Sequence, residues 1–159
     1  MKWNEYFFKM CEFVAQKSKD PNTKVGCVIV GPDKEIRSTG FNGFPRGVKD
    51  DVILVPKRYE RPEKYQWTEH SEQNAICAAA KMGTSLDECD IYVTWMPCVT
   101  CAKSIIQCGI KNVYILKYSN ADDINWPQFY FGISKQMFIE AGVNIYIENY
   151  DGNYGKIHE

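Results

Sequence analysis

The sequence predicts an α/β fold, a three-layer α/β/α sandwich around a five-stranded mixed sheet. After residue 70, segments with helical spacing of apolar residues alternate with short apolar runs, which is typical of parallel strands joined by helices. Before that point, Gly31-Pro32-Asp33 separates two strand-like runs and predicts an antiparallel hairpin. The length of 159 residues, 45% of them hydrophobic, predicts a single domain over residues 1–159.

The individual elements follow from local patterns. Asn4 can cap a first helix that ends near Ser18, because Asn is a preferred N-cap residue. Two strands are predicted next, over residues 25–30 and 35–41. The later elements are a helix over 70–82, a strand over 90–95, a helix over 98–107, a strand over 112–117, a helix over 126–141 and a strand over 143–147.

Residues 42–68 form a long segment in which glycine and proline interrupt every regular pattern except a short run at 52–55. A segment of this length inside a compact domain is usually functional or disordered. Its charge is locally basic. Two interpretations stay open, a solvated loop and a lid over an active site.

Composition excludes several classes of protein. No apolar run approaches the roughly 20 residues that cross a bilayer, and the N-terminus lacks the pattern of a signal peptide, so we expect a cytoplasmic protein without a membrane partner. The net charge of −1 disfavours binding of long nucleic acid but leaves room for a local basic pocket that binds a small phosphorylated ligand. Seven cysteines, an odd number, indicate reduced thiols.

Two helix starts carry residues suited to binding zinc. Cys98 and Cys101 are three positions apart after Pro97, so both sulfurs can face one point about 2.3 Å from a zinc ion. The partial positive charge of a helix N-terminus favours their thiolate form. The nitrogen ligand is assigned to His70, because the only other histidine, His158, lies next to the C-terminus, where disorder is expected.

Three protein ligands leave the fourth position of a tetrahedral zinc ion open for water, which indicates a catalytic site. Zinc lowers the pKa of bound water to about 7, and Glu72, two residues after His70, can carry the proton. The alternative is a noncatalytic zinc-binding or interaction module, which requires a fourth protein ligand and gives Glu72 no role. The remaining cysteines are interpreted as apolar core residues: Cys11, Cys27, Cys77, Cys89 and Cys108.

The spacing H-x-E…P-C-x-x-C is the signature of zinc nucleobase deaminases. With the further blocks at residues 18–22, 25–26, 40–45, 74–76 and 102–107, the chain resembles the cytidine and deoxycytidylate deaminase family, and within it the deoxycytidylate (dCMP) branch, over approximately residues 3–147. The resemblance implies a cytidine deaminase-like fold and hydrolysis of dCMP to dUMP and ammonia, which supplies dUMP for thymidylate synthesis. It also implies one catalytic Zn²⁺ on His70, Cys98 and Cys101, with Glu72 as the proton shuttle.

The resemblance implies further substrate contacts. Asn42 would hold the sugar hydroxyl, and the peptide N–H of Ser71 would meet the pyrimidine O2; for Asn42 a simple turn role before Gly43 is the alternative. Trp95 would wall the base pocket and Tyr118 would stack near it, although a core role is nearly as well supported for each. Candidate phosphate contacts, each with plain surface exposure as its alternative, are Ser18, Lys19, Lys24 and Arg46.

The family likeness also implies a homo-oligomer, a hexamer in many members, with activation by dCTP and inhibition by dTTP and with Mg²⁺ accompanying a nucleotide effector.

Two positions depart from the family pattern: Ser71 replaces the usual alanine of His-Ala-Glu, and Trp95 replaces a more usual leucine. The alternative substrates are dCTP, free cytidine or deoxycytidine, guanine and a tRNA adenosine. The acidic net charge disfavours the tRNA.

Overall fold

The computed structural model describes residues 1–117, 129–148 and 154–156, and it has the α/β fold that the sequence predicts. Within these ranges no helix has the length and apolar character that crossing a bilayer requires. The helices are α1 (Trp3–Ala15), α2 (Lys64–Trp67), α3 (Ser71–Met82), α4 (Val99–Gln107) and α5 (Phe131–Glu140). The strands are β1 (Gly26–Val30), β2 (Ile36–Phe41), β3 (Asp90–Trp95), β4 (Asn112–Lys117), β5 (Asn144–Glu148) and β6 (Tyr154–Lys156).

The strands form one mixed sheet in the order β2-β1-β3-β4-β5-β6. β1 is antiparallel to both of its neighbours, whereas β3, β4 and β5 are parallel, and β6 returns antiparallel to β5. The described sheet therefore has six strands, and the predicted number of five is corrected. The strand missing from the prediction spans only Tyr154–Lys156, which is too short to give a periodic signal.

Side chains of β1 divide the core between the two faces of the sheet. All five residues of this strand are buried, and successive side chains point to opposite faces. Val28 and Val30 pack with Phe7 of α1, whereas Cys27 and Ile29 belong to the cluster of apolar residues under α3, α4 and α5. One helix therefore covers one face and three helices cover the other, which gives the predicted three layers.

The predicted cap of the first helix is wrong. The N-cap is Lys2, and the helix ends at Ala15, before the predicted end at Ser18. Asn4 lies inside the first turn, and its Oδ1 accepts a 2.9 Å hydrogen bond from the Tyr92 hydroxyl of β3. This long-range hydrogen bond ties α1 to the sheet.

Polar side chains connect the starts of the three parallel strands. Asp90, Asn112 and Asn144 are register partners at the first positions of β3, β4 and β5. Asn112 Nδ2 donates to Asp90 Oδ1 at 2.6 Å, and Asn144 Nδ2 donates to Asn112 Oδ1 at 2.8 Å. A slip of either strand would break this row of hydrogen bonds, so the row helps to define the register.

The segment at residues 42–68 is packed against the domain and is not a solvated loop along its whole length. It contains a 3₁₀ turn at Pro56–Tyr59 and the short helix α2. Tyr59 is buried, stacks on Phe44 with ring centroids 4.7 Å apart, and donates its hydroxyl to the Asp50 carbonyl at 2.6 Å. Lys64 is also buried. This packing places the segment beside the carboxyl end of β3 as one wall of a cavity.

Candidate metal centre and active site

Three side chains with metal-binding atoms meet at the starts of α3 and α4. His70 is the N-cap of α3, Cys98 is the N-cap of α4, and Cys101 lies in the first turn of α4. His70 Nδ1 is 3.4 Å from the Cys98 sulfur and 3.5 Å from the Cys101 sulfur. A nitrogen and a sulfur that share a tetrahedral zinc ion lie about 3.5 Å apart, as the usual bond lengths require. The donor atoms therefore fit zinc.

The group found among the described residues has these three members and no fourth protein ligand. A structural zinc site has four protein ligands, whereas a catalytic site leaves one position for water or substrate. The arrangement is therefore that of an open site, as the sequence predicts.

The two helices that carry the ligands are held together by direct hydrogen bonds. Gln73 of α3 donates its Nε2 to Ser104 Oγ at 2.7 Å, on the next turn of α4. The Ser134 hydroxyl of α5 donates to the Pro97 carbonyl at 2.8 Å, directly before Cys98. The first bond joins α3 to α4, and the second joins α5 to the residue before Cys98, so the protein itself holds the ligand atoms in place.

The three ligand side chains shift one another's pKa values. A hydrogen bond from Cys101 lowers the pKa of Cys98 to about 4, helped by the contact with His70 and opposed by burial. The same hydrogen bond, with burial, raises the pKa of Cys101 well above its usual value. Burial lowers the pKa of His70, but the hydrogen bond to Cys98 and the charge of Glu72 outweigh it and give about 9. Zinc uptake therefore requires Cys101 and His70 to release protons.

Glu72 is buried beside the ligands, in the first turn of α3. Its Oε2 accepts a 2.8 Å hydrogen bond from the Ser71 hydroxyl. Burial raises the pKa of Glu72, and the charge of Cys98 adds to this effect, while His70 opposes it. A carboxyl group with a raised pKa exchanges a proton more readily near neutral pH, which suits general acid and base chemistry.

A cavity of about 180 Å³ opens beside the ligands. Of the residues singled out by sequence, Asn42, Ser71, Glu72 and Trp95 line it together with His70 and Cys98. Trp95 is the last residue of β3 and is 37% exposed. The sequence therefore selected residues that the fold brings to one place.

Asn42 is buried at the end of β2, and protein atoms engage both halves of its side-chain amide. Its Oδ1 accepts the Val25 N–H at 2.8 Å, and its Nδ2 donates to the Thr23 carbonyl at 2.8 Å. An amide has two N–H donors and two lone pairs on oxygen, so one N–H and one lone pair remain. These bonds also fix which end of the amide is oxygen.

The candidate phosphate contacts lie in different environments. Ser18 is buried and donates its hydroxyl to the Asn42 carbonyl at 2.8 Å. Lys19 is exposed and pairs with Asp50 at 2.8 Å. Lys24 and Arg46 are exposed, and neither belongs to the described residues that line the cavity. Tyr118 and the second histidine, His158, lie outside the described residues.

Several cavity residues were not selected from the sequence. The basic composition of residues 42–68 was a signal for two of them, but it did not separate Arg61 and Lys64 from the other cations of the segment. Asp20 lies in the block at residues 18–22 that carries the family resemblance, and the others have no pattern that points to a site. The additional lining residues include Asp20, Arg61, Lys64, Tyr65, Phe129 and Phe131.

Comparison with known proteins gives relatives over most of the chain. Residues 1–117 match the profile described as the cytidine and deoxycytidylate deaminase zinc-binding region. The chain is 41% identical to the probable deoxycytidylate deaminase of Caenorhabditis elegans, over 89% of this chain and 67% of that protein. It is 37% identical to the deoxycytidylate deaminase of Homo sapiens, over 93% of this chain and 86% of that protein.

Among solved structures, the fold is similar to that of the dCMP deaminase from the cyanophage S-TIM5 in complex with dCMP and dUMP. The TM-score is 0.72 at 29% sequence identity, and the match covers 92% of this chain and 98% of the phage protein. Fold, ligand geometry and sequence lead to the same assignment. The chain belongs to the cytidine and deoxycytidylate deaminase family.

Proposed function

We propose that this protein hydrolyses dCMP to dUMP and ammonia with one catalytic zinc ion, and so supplies dUMP for thymidylate synthesis. The observation that carries the proposal is the open set of three ligands, His70, Cys98 and Cys101, next to the buried carboxyl group of Glu72. The similarity to proteins named deoxycytidylate deaminase supports the choice of substrate.

His70, Cys98 and Cys101 would hold a zinc ion, which would supply Lewis acidity and lower the pKa of a water molecule to about 7. Glu72 has the complementary role of moving protons. It accepts a proton from the attacking water and passes it to N3 of the cytosine ring. It then takes the second proton from the hydroxyl group now on C4 and passes it to the amino group, which leaves as ammonia while the C4 carbonyl forms. Its burial and its raised pKa support this role, because both protonation states must be accessible near neutral pH.

The substrate is oriented by groups at the cavity wall. The Ser71 N–H lies in the first turn of α3, where backbone donors have no partner within the helix, and we assign it to the pyrimidine O2. The remaining N–H and lone pair of Asn42 match a sugar hydroxyl, which both donates and accepts. Trp95 forms part of the base pocket, and Tyr118 remains a candidate for the same role.

Binding of the phosphate requires positive charge near the open end of the cavity. Ser18, Lys19, Lys24 and Arg46 remain candidates from the family likeness. Arg61 joins them, because it lines the cavity. A charge-assisted hydrogen bond to phosphate would favour dCMP over deoxycytidine by about 10- to 100-fold.

The family likeness supports three further parts of the proposal. The protein forms a homo-oligomer, a hexamer as in many members. Its activity rises with dCTP and falls with dTTP, and Mg²⁺ accompanies the nucleotide effector. It acts in the cytoplasm.

A substrate panel tests the proposal. The zinc-loaded protein is assayed with dCMP, dCTP, deoxycytidine and cytidine by the loss of cytosine absorbance, with and without dCTP and dTTP as effectors. We expect the highest kcat/KM with dCMP. Equal values with dCMP and deoxycytidine would contradict recognition of the phosphate, and a higher value with dCTP would change the substrate.

A further inference from the structure

Asp20 and Lys64 form a buried ion pair in the cavity wall. Lys64 Nζ lies 2.8 Å from Asp20 Oδ2, and the two side chains are only 6% and 2% exposed. Removing two charges from water costs free energy, which a buried pair recovers only when further hydrogen bonds satisfy its atoms. The other five described ion pairs have at least one partner that is 37% exposed or more. The position of this pair therefore needs an explanation.

The carboxylate of Asp20 organises the turn between α1 and β1. Its Oδ1 accepts the N–H of Asn22 at 2.9 Å and the N–H of Thr23 at 3.0 Å. Burial raises the pKa of Asp20, but the Lys64 ammonium and the two N–H groups outweigh burial, and the net pKa is lowered. Asp20 is therefore held as a charged acceptor that fixes the backbone at residue 23.

The backbone at residue 23 in turn contacts Asn42. The Thr23 carbonyl accepts the Nδ2 hydrogen bond of Asn42, and the Val25 N–H, two residues on, donates to Asn42 Oδ1. Rotating the amide by 180° would set its N–H group against the Val25 N–H and its oxygen against the Thr23 carbonyl. The turn therefore allows one orientation of the amide.

The free half of the Asn42 amide consists of one N–H and one lone pair on oxygen. The sugar of dCMP has a single free hydroxyl, at C3′, because C2′ carries none and the C5′ oxygen is esterified to phosphate. A hydroxyl group donates one hydrogen bond and accepts others, so it matches this half of the amide. The match depends on the amide being held in its observed orientation.

We propose that the Asp20–Lys64 ion pair is a positioning pair that orients Asn42 toward the substrate's 3′-hydroxyl and thereby determines how strongly the enzyme requires that hydroxyl. The inference rests on the proposed function and assigns a role to two residues that do not touch the reacting atoms. Lys64 also lines the cavity, so a direct bond from Lys64 to the phosphate is the competing role, and the choice of substrates separates the two.

The test compares dCMP, deoxycytidine and 2′,3′-dideoxycytidine monophosphate in the wild-type protein, Lys64→Met, Asn42→Ala and the double variant. We expect Lys64→Met to lower kcat/KM for dCMP and for deoxycytidine by about 10- to 100-fold, mainly through KM, and for the 3′-deoxy substrate by less than about threefold. Asn42→Ala should show the same selectivity. The double variant should lose little more than either single variant, because both act through one contact.

Three results would overturn the inference. Equal losses with dCMP and the 3′-deoxy substrate, or additive effects in the double variant, would show that Lys64 does not act through Asn42. A loss with both phosphorylated substrates but not with deoxycytidine would assign Lys64 to the phosphate. Failure of the proposed function is distinguishable, since it would appear as absent dCMP turnover by the zinc-loaded wild-type protein.

Lys64→Met leaves the Asp20 carboxylate buried without its cation, which is destabilising. The double variant Asp20→Asn/Lys64→Gln avoids this problem, because two neutral amides can keep a hydrogen bond in place of the ion pair. We expect it to fold, as measured by circular dichroism and zinc content, and to recover most of the preference for the 3′-hydroxyl. Lys111→Met is the control, since it removes the exposed pair with Glu88 and should leave all three substrates unaffected.

Discussion

The Ser71 hydroxyl donates a 2.8 Å hydrogen bond to Glu72 Oε2, and both side chains are buried. The serine hydroxyl therefore restrains the carboxyl group that is proposed to move protons. Restraint of a catalytic group in its productive geometry favours the chemical step.

We predict that Ser71→Ala lowers kcat by about two- to tenfold, which is the range expected when one neutral hydrogen bond is lost. KM should change little, because the hydroxyl holds Glu72 and the backbone N–H remains. Steady-state kinetics over a range of pH measures the effect. The control is Ser38→Ala, which removes a buried 2.7 Å hydrogen bond to the Ala75 carbonyl. An equal loss of kcat in the control would show that general destabilisation is the cause.

Glu72→Gln should keep the fold and the zinc but reduce turnover by about 10²- to 10⁴-fold, because the amide cannot carry the proton. Zinc analysis, circular dichroism and single-turnover kinetics together measure the three properties. Glu69→Gln is the matched control: Glu69 is exposed, and its Oε1 accepts the His70 N–H at 3.0 Å, which an amide oxygen can also do. Near-normal turnover by Glu72→Gln would falsify the proton-transfer role.

Cys101→Ser should lose most of the bound zinc and the activity, since a hydroxyl group is a poor zinc ligand and the site has only three protein donors among the described residues. Metal analysis after dialysis measures the zinc content per chain. Cys77→Ser serves as the control, because Cys77 is an exposed thiol on α3. Retention of stoichiometric zinc by Cys101→Ser would remove Cys101 from the ligand set.

Replacing threonine by valine, which has nearly the same shape, should affect stability differently at Thr68 and at Thr94. Thr68 Oγ1 is buried and has no hydrogen-bond partner among the described residues, whereas Thr94 Oγ1 accepts the Gly26 N–H at 3.2 Å. Thr68→Val should leave the free energy of unfolding unchanged or raise it by about 1 kcal/mol, and Thr94→Val should lower it by about 1–3 kcal/mol. Urea denaturation measures both free energies of unfolding. A loss of more than about 1 kcal/mol for Thr68→Val would contradict the prediction and would show that the Thr68 hydroxyl has a hydrogen-bond partner.

Gly40 lies where β2 and α3 pack so closely that there is no room for a side chain. A Cβ atom at this position would collide with the Ser71 carbonyl and the Ala75 backbone. We expect Gly40→Ala to cost about 1–3 kcal/mol of stability and to reduce activity, because it pushes the start of α3 away from the sheet. Gly43→Ala is the control, since its Cβ would lie 3.6 Å from the Phe41 ring in ordinary contact. Similar melting temperatures for both variants would contradict the prediction.

Strands in the middle of the sheet were predictable to the residue. The predicted strands over 90–95 and 112–117 match β3 and β4, because central parallel strands are buried on both faces and therefore consist of dense apolar runs. Asn4 shows where local reasoning is wrong. Its side chain accepts a hydrogen bond from Tyr92, 88 positions away, instead of capping the helix. No local pattern contains that partner.

Some residues of the candidate site were predictable from the sequence, and others were not. His70, Glu72, Cys98 and Cys101 were identified because their chemistry requires fixed residue types at fixed spacing. The opposite wall of the cavity depends on the pair of Lys64 with Asp20, which spans 44 positions and has no motif. The contacts of Asn42 with Thr23 and Val25 also appear only when the turn before β1 is folded.

The row of hydrogen bonds through Asp90, Asn112 and Asn144 lies at the amino ends of the parallel strands, whereas the cavity lies beyond the carboxyl end of β3. The two are separated by the length of that strand, about 17 Å. We therefore expect substitutions at the amino ends to change the stability of the fold, and substitutions beyond the carboxyl ends to change the binding of substrate. The cavity can consequently be redesigned without misaligning the sheet that supports it.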